Sequence, residues 1–96
     1  MPTWDDLAAE FIAIMSDRFG TDSKEVRDLR VIRDGDPWSA CECAIAAVGW
    51  YDIIVPDRII EMTRELCADA LDFTEYDELM EAQEEARKAH AAAPAA

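Results

Sequence analysis

Three cysteines, one histidine and a dense set of acids are the residues of this chain with chemistry to offer. Cys41 and Cys43 flank Glu42 in the stretch CECAIAAVGW, and Cys67 follows downstream. Paired thiols raise the question of zinc or redox chemistry. Their spacing answers it. Residues two apart on a helix diverge by about 200°, so Cys41 and Cys43 cannot share one tetrahedral ion or bond to each other while helical. The remaining ligands would have to be Cys67 and His90. The three thiols are therefore expected as small core hydrophobes, with no cofactor. An odd number is also a poor disulfide framework and suits a reducing cytoplasm.

The acids come next. Glu75 with Glu78, and Glu81 with Glu84, are spaced three apart. That resembles the paired E-x-x-E and E-x-x-D motifs by which all-α nucleotide pyrophosphohydrolases hold Mg²⁺, but no second motif of the required kind occurs elsewhere. A metal-dependent hydrolase using these carboxylates stays as an alternative. A single histidine excludes the paired E-x-x-H ligands of di-iron bundles. Three glycines leave no phosphate-cradling loop, and His90 has no partner nucleophile in a suitable place. No catalytic residue and no metal ligand is assigned, and the chain reads as a non-enzyme.

Charge narrows the partners. The net charge is −13, from 22 acids against 9 lysines and arginines. Such a surface repels phosphates, so direct nucleic-acid binding is disfavoured. No apolar run approaches the roughly 20 residues that a membrane helix needs, and the start MPTWDDLAAEF lacks a signal peptide's basic and apolar regions. The expectation is a cytoplasmic protein with no membrane partner. The alanine-rich, lysine-poor usage is similar to that of high-GC genomes, actinobacteria and their phages among them. A local basic stripe, Lys24, Arg27, Arg30 and Arg33, is expected to pair with acids on neighbouring helices.

Helices must position these groups. Thr3 can cap a first helix, with Asp5 and Asp6 in its first turn and Gly20 at its end. Trp4, Leu7, Phe11, Met15 and Phe19 draw one apolar stripe along it. Asp22 with Glu25 suggests a capping box for a second helix, whose rival reading is a strand at 29–33. Asp36 and Pro37 are a strong start for a third helix, apolar on every side and so expected at the centre. A fourth starts at Pro56, with Ala70 and Leu71 on its buried face. A fifth is expected to be capped by Thr74, and its alanine-rich end to fray.

The reading is all-α: a compact bundle of four to five short helices around an apolar central one, with residues 1–88 as a single domain and 89–96 as a frayed tail. The alternative is α+β, with short strands at 29–33 and 52–55. The expected function is a small acidic interaction module that binds and modulates another protein with a basic surface. Small phage accessory proteins are similar in size and composition. The candidate contact residues are Trp38, Glu42, Tyr76, Glu78, Glu81 and Glu85, an acidic face on helices four and five with aromatic anchors. A nucleic-acid mimic is a second reading, and a homodimer through the alanine face of the third helix a further one.

Overall fold

The computed structural model describes residues 1–92. Five α-helices account for most of them: α1 (Trp4–Phe19), α2 (Lys24–Gly35), α3 (Pro37–Trp50), α4 (Asp57–Ala70) and α5 (Thr74–Ala92). The fold is all-α. Residues 29–33 belong to α2 and 52–55 form a loop, so neither strand of the α+β alternative exists among the described residues. Of the expected frayed tail, 89–92 are the last turn of α5, and 93–96 lie outside the described residues.

Local chemistry explains the helix starts. Thr3 and Asp6 form a reciprocal capping box, each side chain bonding the other's backbone N–H. Asp36 caps α3 through the Trp38 N–H, with Pro37 in the first turn. Two caps differ from expectation. Ser23, not Asp22, accepts the Val26 N–H that starts α2. At α5 the oxygen comes from Asp72, whose carboxylate accepts the Thr74 N–H at 3.0 Å and hydroxyl at 2.6 Å. A side chain two residues upstream forms an Asx turn there more readily than Thr74 could cap itself.

The chain stacks these helices in two layers. α3 packs between α2 and α5, with α1 beneath it, while α4 packs on α1 and α5. The Cα trace measures 41 × 31 × 17 Å, about two helix diameters thick. The core is built from Leu7, Phe11 and Met15 of α1, Val26 of α2, Cys41, Ala44 and Val48 of α3, Ile59 of α4 and Leu79 of α5. Arg33 holds Asp5 with two bonds of 2.8 and 3.0 Å, and Arg58 holds Glu10 at 2.7 Å, so exposed pairs tie α2 and α4 to α1. The rest of the basic stripe does not bridge helices. Lys24 pairs with Asp28 of its own helix, and Arg30 donates to the Thr21 carbonyl.

The α4–α5 turn breaks a local rule. Leu71 was expected on the buried face, yet it is 88% exposed and takes the left-handed conformation at φ 56°. It ends α4 in a Schellman motif: its N–H reaches Ala68 O and the Asp72 N–H reaches Cys67 O. That position favours glycine, because a Cβ there costs roughly 1–2 kcal/mol. Leu71→Gly is expected to raise stability by about 0.5–1 kcal/mol, after the larger chain entropy of glycine is offset. A thermal melt higher by a few degrees checks it.

Candidate functional site

The helix expected to be wrapped on every side is wrapped on three. α3 turns one face to solvent, and along it lie Trp38, Glu42, Ala46 and Trp50, spaced by four residues each. Trp50 is 82% exposed and Trp38 41% exposed. A rise of 1.5 Å per residue places them about 18 Å apart at the two ends of the face. Cys43, expected in the core, is exposed beside this face, while Cys41 and Cys67 are buried as expected. The 200° divergence that excluded a shared ion also makes one of the two α3 thiols face outward. Burial, reinforced by the charges of Asp5 and Glu75, pushes the Cys41 thiol up to about 12.

Two grooves flank the α3 face. The α2–α3 groove, of about 360 Å³, is lined by Met15, Leu29, Ile32, Cys43, Ala47 and Tyr51, with the Lys24–Asp28 pair at its rim. The α3–α5 groove, of about 340 Å³, has an apolar floor of Ile45, Ala46, Gly49 and Ala82. Its wall is Glu78, Glu81 and Glu85. The small residues explain why α3 and α5 approach closely here: a Cβ on Gly49 would lie 3.3 Å from that of Ala82.

The structure thus brings together three of the six sequence candidates, Glu78, Glu81 and Glu85, in one groove. Glu42 lies near them, half-buried and without a salt bridge among the described residues. Glu78 and Glu81 likewise take part in no ion pair there, while Glu85 meets Lys88 at 3.4 Å. Partial desolvation raises the Glu42 pKa above its ordinary 4.5, and the like charges of Glu75, Glu78 and Asp36 add to the rise. The carboxylates of this groove belong to α5, with Glu42 of α3 beside them, while the exposed acids Glu61, Glu65 and Asp69 of α4 do not line it. Tyr76 stands apart, half-buried and edge-on to Phe73 with ring centroids 6.2 Å apart.

A polar knot anchors the Trp38 end. Glu75 is buried at the start of α5 and accepts the Trp38 indole N–H at 3.0 Å, with the Cys67 thiol at 3.9 Å. The first turn of a helix favours a carboxylate, since the backbone N–H groups there are unpaired. Trp38 is thereby held half out of the core in one orientation. Sequence reasoning placed Glu75 on a solvated face and missed this. The signal available was its place in the first turn of α5, where unpaired backbone N–H groups favour a carboxylate.

A second buried polar group was missed altogether. Gln83 is fully buried in α5; its Oε1 accepts the Val55 N–H at 2.8 Å and its Nε2 donates to Ile53 O at 2.9 Å. One amide thus stands in for a neighbouring strand and holds the 51–56 loop.

Because ionised Glu42 is disfavoured in the folded state, its contribution to stability is present below its ordinary pKa and is lost as pH rises through the raised value. Glu42→Gln is expected to melt about 2 °C above the wild type at neutral pH, a surface-scale effect. The two curves should converge below the ordinary value of 4.5. A melt series in pH reads both.

No group of three or more His, Cys, Asp or Glu side chains among the described residues is placed to hold a metal ion. No described helix is long and apolar enough to cross a membrane. No family model matches the sequence, and neither a curated protein nor a solved structure matches it.

Proposed function

We propose that this protein is a small acidic interaction module of the cytoplasm, which binds another protein through the α3–α5 groove and modulates it by occlusion. The observation that carries the reading is the juxtaposition of an apolar floor with carboxylates that lack a cation. Glu42, Glu78 and Glu81 make no ion pair among the described residues, although the chain carries nine lysines and arginines. Such a surface favours a positively charged protein surface, steers its approach, and rejects anionic partners. Trp38 and Trp50 at the ends of the α3 face are the residue types that most often anchor binding. Tyr76, half-buried against Phe73, contributes less.

The test is capture from a nuclease-treated lysate of the source organism, with the wild type and a Glu78→Lys, Glu81→Lys, Glu85→Lys variant compared. A stoichiometric protein held by the wild type and lost by the variant is the expected result. Asp17→Lys, on the exposed part of α1, serves as the charge control and should retain the partner. Equal capture by wild type and triple variant would place binding elsewhere and overturn the reading. Capture only of nucleic-acid-binding proteins, lost in high salt, would favour a phosphate mimic instead.

A further inference from the structure

Resting on the reading above, we infer that the occupant of the α3–α5 groove is a single amphipathic α-helix of the partner, with arginine or lysine on one flank and small or aliphatic residues against the floor.

The packing of α3 leaves a gap. α3 is apolar on nearly every side, the pattern of a helix with neighbours all round, yet it contacts α1, α2 and α5 and leaves its outer face bare. The layer it belongs to has nothing above it, because the molecule is only 17 Å thick. A helix laid over α3 and α5 supplies the missing neighbour. Small side chains at a contact let helix axes approach to about 8–10 Å, and Ala46, Gly49 and Ala82 provide such a seat. The ends are marked by Trp38 and Trp50, about 18 Å apart, the length of roughly three helical turns.

Charge then selects both the groove and its occupant. In the α2–α3 groove the Lys24–Asp28 pair satisfies itself at 2.6 Å, which leaves Glu25 as the one lining carboxylate outside an ion pair among the described residues. In the α3–α5 groove Glu78, Glu81 and Glu85 recur at intervals of three and four along one helix. Cations at the same intervals on a second helix would meet them in register, as side chains three and four apart share a face. A second copy of this chain is a poor occupant. An isologous contact would bring Glu42, Glu78, Glu81 and Glu85 of each copy against their counterparts, and like charges juxtaposed across an interface are costly.

The experiment uses a panel of synthetic peptides of about 16 residues, roughly four turns. Arginines stand at i, i+3 and i+7, with alanine and leucine on the facing side, in both chain directions. Scrambled isomers of identical composition are the controls. Fluorescence anisotropy reads affinity and circular dichroism reads helix gained on mixing. The expected result is that at least one patterned peptide binds about tenfold tighter than its scrambled isomer and becomes helical. Ala46→Lys, at an exposed helical position, should weaken it by about tenfold, whereas Asp17→Asn, an equal change of charge, should not.

Equal binding of patterned and scrambled peptides would overturn the helix and leave a merely acidic groove standing. Patterned binding indifferent to Ala46→Lys would overturn the α3–α5 groove as the helix's site, while the capture comparison with the Glu78, Glu81 and Glu85 variant decides the proposed function separately. If no peptide binds while the captured partner still depends on the groove carboxylates, the helical occupant alone is wrong. A molecular mass that rises with concentration, and returns to the monomer in Ala46→Lys, would give the groove to a second copy.

Discussion

Replacing Gln83 with leucine is expected to lower the melting temperature by about 15 °C. Leucine nearly matches the volume but makes neither bond, so the Val55 N–H and the Ile53 carbonyl lose their partner inside the protein. Val55 and Ile53 are themselves buried, which leaves water poor access to either group. An orphaned buried polar group costs about 1–3 kcal/mol, and two of them about 3 kcal/mol together. In a domain of this size each kcal/mol moves the melt by roughly 4–8 °C. Two further measurements isolate the cause. The Val55 amide should exchange its hydrogen far faster in Gln83→Leu than in the wild type, as the 51–56 loop opens. Gln83→Glu should recover stability as pH falls. A carboxylate at that position can accept from Val55 but cannot donate to Ile53 until it is protonated, and burial raises the pH at which that happens. A Gln83→Leu protein that melts with the wild type would show that the amide bonds contribute nothing net.

Phe11→Ala is expected to cost more, about 4 kcal/mol, within the range for large-to-small changes of a buried aromatic. Phe11 is fully buried midway along α1, the helix that packs against α2, α3 and α4. Its ring is the largest fully buried side chain among the described residues. The void it leaves opens inside the single packed core. Against a total stability of about 5–15 kcal/mol for a small domain, that loss removes from about a quarter to four-fifths of the whole. Phe11→Leu, which keeps most of the volume, should cost only about 1 kcal/mol. Chemical denaturation of the two variants beside the wild type reads the difference. A small effect of Phe11→Ala would mean that the surrounding helices collapse into the space.

Both predictions rest on side chains in places of unequal legibility. Phe11 was readable: Trp4, Leu7, Phe11, Met15 and Phe19 recur at helical spacing, and the structure buries the central three completely while Trp4 and Phe19 pack at the edges. Gln83 was not. A glutamine among glutamates on the last helix looks like solvated surface, and only the return of the 51–56 loop across α5 gives its amide a backbone to bond.

The candidate site divides in the same way. Glu78, Glu81 and Glu85 are candidates from their crowding on one helix, and the structure lines one groove with them; Trp38, the expected aromatic anchor, is half out of the core. The α3–α5 groove brings Glu42 beside these carboxylates, whereas the exposed acids of α4 do not line it. Acidity is a property of each segment, but which segment lies beside which is set by long-range packing, and α5 rests on α3 along the seat made by Gly49 and Ala82. The exposure of Trp50 was likewise hidden, since nothing local says which side of an all-apolar helix is left uncovered.

What the sequence determined by itself is whatever is encoded within one or two helical turns. An all-α chain of four to five helices, the Thr3 and Asp36 starts, the α1 stripe and the separation of Cys41 from Cys43 all follow from capping, propensity and periodicity. The tertiary structure decided everything that depends on phase and neighbours. It turned Glu75 inward beneath Trp38, placed Gln83 against a distant loop, left Leu71 exposed in a left-handed turn, and left the outer face of α3 bare. Local rules state that a helix has an apolar face; only the packed arrangement of all five settles which face remains open.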